Sequence, residues 1–236
     1  MLPVAFRRAA AVVPRSVSMN AGRMPNTRPS APAARLYLVT GPVAEPDEVA
    51  SALAEALVGI DIAAVLLRLA PADDRTLAAR VKAIAPIVQH RHAALVLDGH
   101  PALVARTGAD GAHLDGIQAL TEAVPSLKPK HIAGVGGLHT RHDAMLAGEA
   151  GADYVMFGEP SAQRSFATAL ERIKWWAEVF EPPCVGFAEN LEEVGALATA
   201  GADFVALGDF IWSDARGPKA AVSAAAACLR VREVAG

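Results

Sequence analysis

The sequence predicts an α/β chain with one folded domain, a single (β/α)8 barrel of the TIM type, preceded by a disordered N-terminal extension. Three observations predict it. Short runs that are apolar on both faces alternate with amphipathic helical patterns eight times, as strands of a parallel sheet covered by helices do. No Asn-Gly or Asp-Gly hairpin joins one strand run directly to the next. Finally, Gly-Ala-Asp followed by an apolar run recurs at Gly108, Gly151 and Gly201, with a weaker relative at Gly59. These marks are about 50 residues apart, and each interval holds two strand and two helix patterns, so the repeat is a pair of βα units. An open doubly wound sheet is the alternative, disfavoured because no GxGxxG or GxxxxGK[ST] follows the first strand.

In chain order, Arg35 to Thr40 reads as the first strand and Pro46 to Val58 as its helix, with Asp47 and Glu48 in the favourable first turn. Ile62 to Leu67 is the second strand, ending in Arg68, and Thr76 to Val88 the second helix. Ala93 to Leu97 is the third strand, ending in Asp98-Gly99-His100, with a short helix from Pro101 to Arg106. Ala112 to Asp115 is the fourth strand and Ile132 to Val135 the fifth. Gly136-Gly137 breaks the fifth, Thr140 caps a helix with an apolar face of Ala144, Leu146, Ala147 and Ala150, and Gly151 ends it. The last strands are Tyr154 to Phe157, Cys184 to Phe187 and Phe204 to Leu207, with helices at Gln163 to Val179, Leu191 to Ala200 and Pro218 to Val231.

Composition supports one large core: 236 residues, 53% hydrophobic, 20% charged, mean hydropathy +0.28. No apolar run reaches the ~20 residues that span a bilayer. Residues 1–34 hold Arg7, Arg8, Arg15, Arg23 and Arg28, five prolines and no acid. They read as a disordered basic extension, with an organellar transit segment as the other reading. The barrel that remains, residues 35–236, carries all 25 acidic residues and is net negative, which argues against nucleic acid and anionic membrane as partners. Cys184 and Cys228 are isolated and fit free thiols in a reducing, cytoplasmic setting. The reading leaves room for a homo-oligomer.

In such a barrel the working groups lie at the C-terminal ends of the strands. The candidates are Thr40, Arg68, Asp98, His100, His113, Asp115, His139, Glu159, Glu189, Asp209 and Trp212. Arg68 is a bidentate cation suited to a phosphate or carboxylate, or else an ion-pair partner for Asp98. Asp98 and Asp115 end neighbouring strands; two acids fall short of a metal site, and capping of loop amides is the other reading. His90-x-His92 and His139-x-x-His142 lack a third ligand, so no metal site is expected. His139, at a strand-to-helix junction, reads as an acid–base residue or as a loop cap. Phosphate is expected beside Gly186 and Gly208, with Ser213, Arg216 and Lys219 adding donors at the start of the last helix, and with Glu189 opposing it.

Five blocks in order carry a resemblance: LYLVT; AVLLR; LVLDGHPALVARTGADGAHLDG; GVGGLHTRHDAMLAGEAGADYVMFG; and GADFVALGDFI. Together, from Leu36 to about Leu229, they resemble the thiamine phosphate synthase/TenI family. The resemblance implies a (β/α)8 barrel in thiamine biosynthesis that joins a pyrimidine diphosphate to a thiazole phosphate with Mg²⁺. Family positions are altered: Leu66 replaces a Gln, Ala70 a Lys, Asp98 an Asn, and Gly99 and Gln118 the metal-binding aspartates. Gly-Glu-Pro-Ser-Ala stands for the Pro-Thr-x-Thr-Lys loop, and Phe187-Ala188 for Gly-Gly. Arg68, His113 and His139 remain as the catalytic set, with Asp98 beside the substrate. His139 matches the histidine that acts in TenI-type thiazole tautomerases, so tautomerisation is the second expectation. A catalytically silent barrel that binds a ligand or a partner, through an exposed Trp175-Trp176 pair, is the third.

Overall fold

The computed structural model describes residues 34–162 and 164–230, so the expectation for the basic extension lies outside the described residues. Eight parallel strands close in sequence order into a barrel. They are β1 (Arg35–Val39), β2 (Ile62–Leu67), β3 (Ala94–Asp98), β4 (Gly111–Asp115), β5 (Ile132–Gly136), β6 (Tyr154–Phe157), β7 (Cys184–Ala188) and β8 (Phe204–Leu207). The helices are α1 (Pro46–Ala56), α2 (Asp74–Gln89), α3 (Pro101–Thr107), α4 (Gly116–Leu127), α5 (Arg141–Glu149), α6 (Phe166–Val179), α7 (Leu191–Ala200) and α8 (Pro218–Arg230), with a 3-10 turn at Asp209–Ile211. Helix α4 has no counterpart in the sequence reading. Its pattern is masked because β4 runs straight into it at Gly116 and Pro125 sits in its last turn.

Alternation along each strand separates two cores. Leu36, Leu38, Val65, Leu67, Leu95 and Leu97 point outward and pack under the helices. Tyr37, Val39, Ala64, Leu66, Ala94, Val96, Tyr154, Met156, Val185, Phe187, Phe204 and Ala206 fill the barrel itself. The Gly-Ala-Asp repeat has a structural cause at the opposite end from the mouth. Asp110, Asp153 and Asp203 each accept a hydrogen bond from a backbone N–H of the preceding strand, at Leu95, Ala133 and Cys184, all at 2.8 Å. The glycine two residues earlier lies in the left-handed region at φ 77, 91 and 103, where it ends a helix. Each repeat therefore turns the chain and pins an amide in the first two residues of one strand to the start of the next.

The tryptophan pair is not an exposed patch. Trp176 is fully buried and donates from Nε1 to the Pro182 carbonyl at 2.7 Å, so it fastens α6 to the barrel. Trp175 is half-buried beneath Arg141, whose guanidinium lies 4.9 Å from the ring centre. Both cysteines are free, Cys184 buried and Cys228 half-buried. Among the described residues no helix is long and apolar enough to cross a membrane.

Candidate active site

The same alternation that fills the barrel aims a small set of polar groups inward near its mouth. Leu66 faces in and Leu67 out, so Arg68 returns to the inner side. Ala94 and Val96 face in, so Asp98 does too, and Asp98 pairs in register with His113 on β4. Arg68 Nε lies 3.3 Å from Asp98 Oδ2, and the Arg68 backbone N–H donates to Thr40 Oγ1 at 3.1 Å. The ion pair between Arg68 and Asp98 is thus formed.

Behind this pair runs a buried chain of hydroxyls and imidazole. Both of the chain's tyrosines, Tyr37 and Tyr154, point into the barrel with their hydroxyls 2.9 Å apart. Tyr154 also lies 2.9 Å from His113 Nδ1 and stacks on the imidazole with 13° between planes. Burial, with Asp98 nearby, pushes both phenols above their ordinary pKa, so they stay protonated donors. When Tyr37 donates to Tyr154 and Tyr154 to Nδ1, the remaining ring hydrogen sits on Nε2. That nitrogen faces Glu159, whose Oε1 is 3.6 Å away.

Glycine makes room for this chain at two inward positions of β5. A Cβ on Gly134 would stand 2.0 Å from the Tyr154 ring, and one on Gly136 would stand 1.5 Å from Glu159 Oε1. Neither site tolerates a side chain without displacing the polar group it serves.

A cavity of about 450 Å³ opens from the β4–β6 side of the mouth towards α6, lined by Asp115, His139, Glu159, Arg164 and Arg172 among others. His139 itself is exposed, and its loop is pinned from α6: the Arg172 guanidinium donates to the carbonyls of Leu138, at 2.8 Å, and of His139. Arg164 ties the loops after β6 and β7 together. It donates to the Gly158 carbonyl at 2.9 Å and pairs with Glu189 at 3.0 Å and Glu193 at 2.5 Å. Glu189 therefore stands beside a guanidinium. Trp212 donates from Nε1 to the Val39 carbonyl at 2.7 Å, and covers the end of β1.

The residues expected around a phosphate are distributed differently. Gly186 faces outward, where a Cβ would meet Leu197 of α7 at 2.7 Å, while Phe187 takes the inward place. Gly208 is buried beside that ring, and its N–H donates to the Ala188 carbonyl at 3.1 Å. Ser213 and Lys219 are exposed. Arg216 is held by Asp214, with Nη2 2.7 Å from Oδ2, and the guanidinium lowers the Asp214 carboxyl to about 2. The structure thus brings Arg68 to Asp98 and His113 to Glu159, and leaves Ser213 and Arg216 on the segment between β8 and α8 and Lys219 in the first turn of α8.

Among the described residues, no three His, Cys, Asp or Glu side chains converge as metal ligands. Asp98 is engaged by Arg68 and the next position is Gly99, so the end of β3 offers a single carboxylate for a Mg²⁺ ion, with substrate phosphates left to supply the other oxygens. Tyr37, Tyr154, Arg164 and Arg172 were absent from the sequence candidates. The tyrosines could have been found by alternation, since a polar aromatic at an inward strand position must find a partner.

A parallel barrel with its polar groups gathered at the C-terminal mouth belongs to the class of barrels that bind and transform small ligands there. The sequence profile of the thiamine monophosphate synthase family matches residues 36–211, and the chain belongs to that family. The thiamine-phosphate synthase of Rhodospirillum centenum is 40% identical over 200 residues, covering 80% of this chain and 94% of that one. The one from Hyphomonas neptunium is 33% identical over 213 residues, covering 85% and 96%. Among solved structures, thiamine phosphate pyrophosphorylase from Pyrococcus furiosus superposes with a TM-score of 0.71 at 20% identity, over 86% of this chain and 97% of that one, which speaks for the fold.

Proposed function

We propose that this chain is a thiamine-phosphate synthase, joining a hydroxymethylpyrimidine diphosphate to a thiazole phosphate with release of diphosphate. The observation that carries the reading is the family match across residues 36–211, with a 40% identical relative of that name spanning 94% of its own length. The ligands are then small and phosphorylated. Arg68 is the cation for an anionic leaving group, which would replace Asp98 as its partner. Asp98 and His113 line the ligand's polar edge. A monophosphate sits by Gly208 and the first turn of α8, where Ser213, Lys219 and about half a unit of helix-dipole charge favour it and Arg216, paired with Asp214, adds little. Gly186 supports this region through packing. A cytoplasmic location accords with this activity.

The test is direct: purified chain, pyrimidine diphosphate, thiazole phosphate and Mg²⁺ should yield thiamine phosphate. A second reading, tautomerisation of a thiazole carboxylate phosphate by His139, is favoured by the placement of His139 on the same cavity with its loop held by Arg172. Equal isomerisation rates for wild type and His139→Ala would remove it.

A further inference from the structure

The proposed reaction changes charge in a way that identifies what the cavity must supply. The thiazole nitrogen's lone pair forms a bond to the pyrimidine methylene carbon, the carbon–oxygen bond to diphosphate breaks, and its electron pair leaves with the diphosphate. No proton moves. The nitrogen ends as a quaternary cation, so the carbon–nitrogen centre needs a fixed negative charge beside it rather than a base.

The partners of Asp98, Asp115, Glu159 and Glu189 at this mouth differ. Asp98 is engaged by Arg68 at 3.3 Å, and Glu189 by Arg164 at 3.0 Å. Asp115 lines the cavity as an exposed residue beside Gly137. Glu159 lines the cavity without an arginine partner among its contacts: the Gly137 N–H donates to Oε1 at 3.2 Å, and His113 Nε2 approaches Oε1 at 3.6 Å. Its side chain is 25% exposed. The backbone prepares it as well. Gly158 takes φ 89 just before it, Pro160 follows it, and Gly136 leaves the space that the carboxylate occupies. Arg172 lines the same cavity, and its bonds are to carbonyl oxygens that do not cancel its charge. The cavity thus holds a carboxylate that can face a cationic ring.

We propose that Glu159 is a further catalytic residue of this barrel, the counter-charge for the thiazolium nitrogen as it forms, with His113, Tyr154 and Tyr37 as positioning residues behind it. The inference rests on the synthase reading and deepens it. A neutral ligand should be nearly indifferent to this charge and a cationic one sensitive to it.

The experiment measures binding of neutral thiazole phosphate and of cationic thiamine phosphate by calorimetry to wild type, Glu159→Gln and Glu159→Asp. Glu159→Gln should weaken thiamine phosphate at least tenfold and thiazole phosphate less than threefold, and lower kcat a hundredfold with KM for thiazole phosphate within threefold. Glu159→Asp should restore most of the preference for the cation. If Glu159→Gln weakens both ligands by the same factor, or neither, the assignment is overturned while the synthase reading stands. If wild type binds neither ligand, both fall. Should Glu159→Gln fail to fold, wild type alone decides: it should prefer thiamine phosphate to an analogue with a neutral thiophene ring by tenfold or more, and equal affinity overturns the proposal.

Discussion

Removing one oxygen from the barrel interior, by Tyr154→Phe, breaks two buried hydrogen bonds at once. The Tyr154 hydroxyl lies 2.9 Å from the Tyr37 hydroxyl and 2.9 Å from His113 Nδ1. Tyr37 and Tyr154 are 0% exposed and His113 is 6% exposed. Both partners left behind are buried, and each unsatisfied buried group costs about 1–3 kcal/mol. Phenylalanine keeps the ring and its packing against Gly134, so the loss is nearly all polar. The expected destabilisation is roughly 2–4 kcal/mol allowing for partial relaxation. In a domain of this size that lowers Tm by roughly 4–16 °C. Urea denaturation followed by circular dichroism gives the free energy, provided the slope against urea is unchanged. The double variant Tyr37→Phe/Tyr154→Phe removes both hydroxyls of the first bond and should cost less than the sum of the two single variants, by about 1 kcal/mol. A Tyr154→Phe loss under about 0.5 kcal/mol, or strict additivity in the double variant, would refute the view that this chain of bonds is closed and dry.

Two further outcomes follow from groups outside that chain. Burial raises the Asp203 carboxyl above its ordinary 3.8, so the folded chain holds that proton more tightly than the unfolded one, and stability is lost as pH rises from the ordinary value through the folded one. Asp203→Asn keeps an acceptor for the Cys184 N–H but has no such proton; its Tm relative to wild type should rise between about pH 4 and about pH 7, and a fall would reverse the sign argument. At the proposed phosphate site, Asp214 already neutralises Arg216, so Lys219→Ala should weaken thiazole phosphate about tenfold by calorimetry, and adding Arg216→Ala should change it by less than about threefold. Unchanged binding in the double variant would remove these side chains from the site.

The barrel was legible because its signals are local and repeated. Eight apolar runs, each bounded by glycine or a cap, give the strands, and Gly108, Gly151 and Gly201 mark helix ends in a conformation that glycine alone adopts easily. Helix α4 was hidden for the same reason reversed: no loop separates it from β4, and Pro125 obscures its last turn. The candidate site was legible only as far as strand ends are. Arg68 and Asp98 stand two residues after inward Leu66 and Val96, so alternation places them at the mouth, whereas Glu159 lies two residues beyond outward-facing Phe157 and reaches His113 through the turn at Gly158. Which of them pair is decided across strands far apart in sequence, as His113 is from Glu159 and Tyr37 from Tyr154. Gly186 shows the limit from the other side. Glycine near a phosphate and glycine under a helix look alike in sequence, and here the neighbour is Leu197. The Gly-Ala-Asp repeat carried more than its spacing, since its aspartates bond to strand amides that no periodicity reveals.

Formation of thiamine phosphate by the purified chain tests the account most directly. Pyrimidine diphosphate, thiazole phosphate and Mg²⁺ are incubated with the protein, and product is followed by conversion to a fluorescent thiochrome. The account predicts product in proportion to enzyme, with Arg68→Ala reducing the rate at least a hundredfold, since one charge-assisted contact to a leaving phosphate contributes on the order of 3 kcal/mol. No product above buffer at high enzyme concentration, in a mixture that an authentic synthase converts, would contradict it.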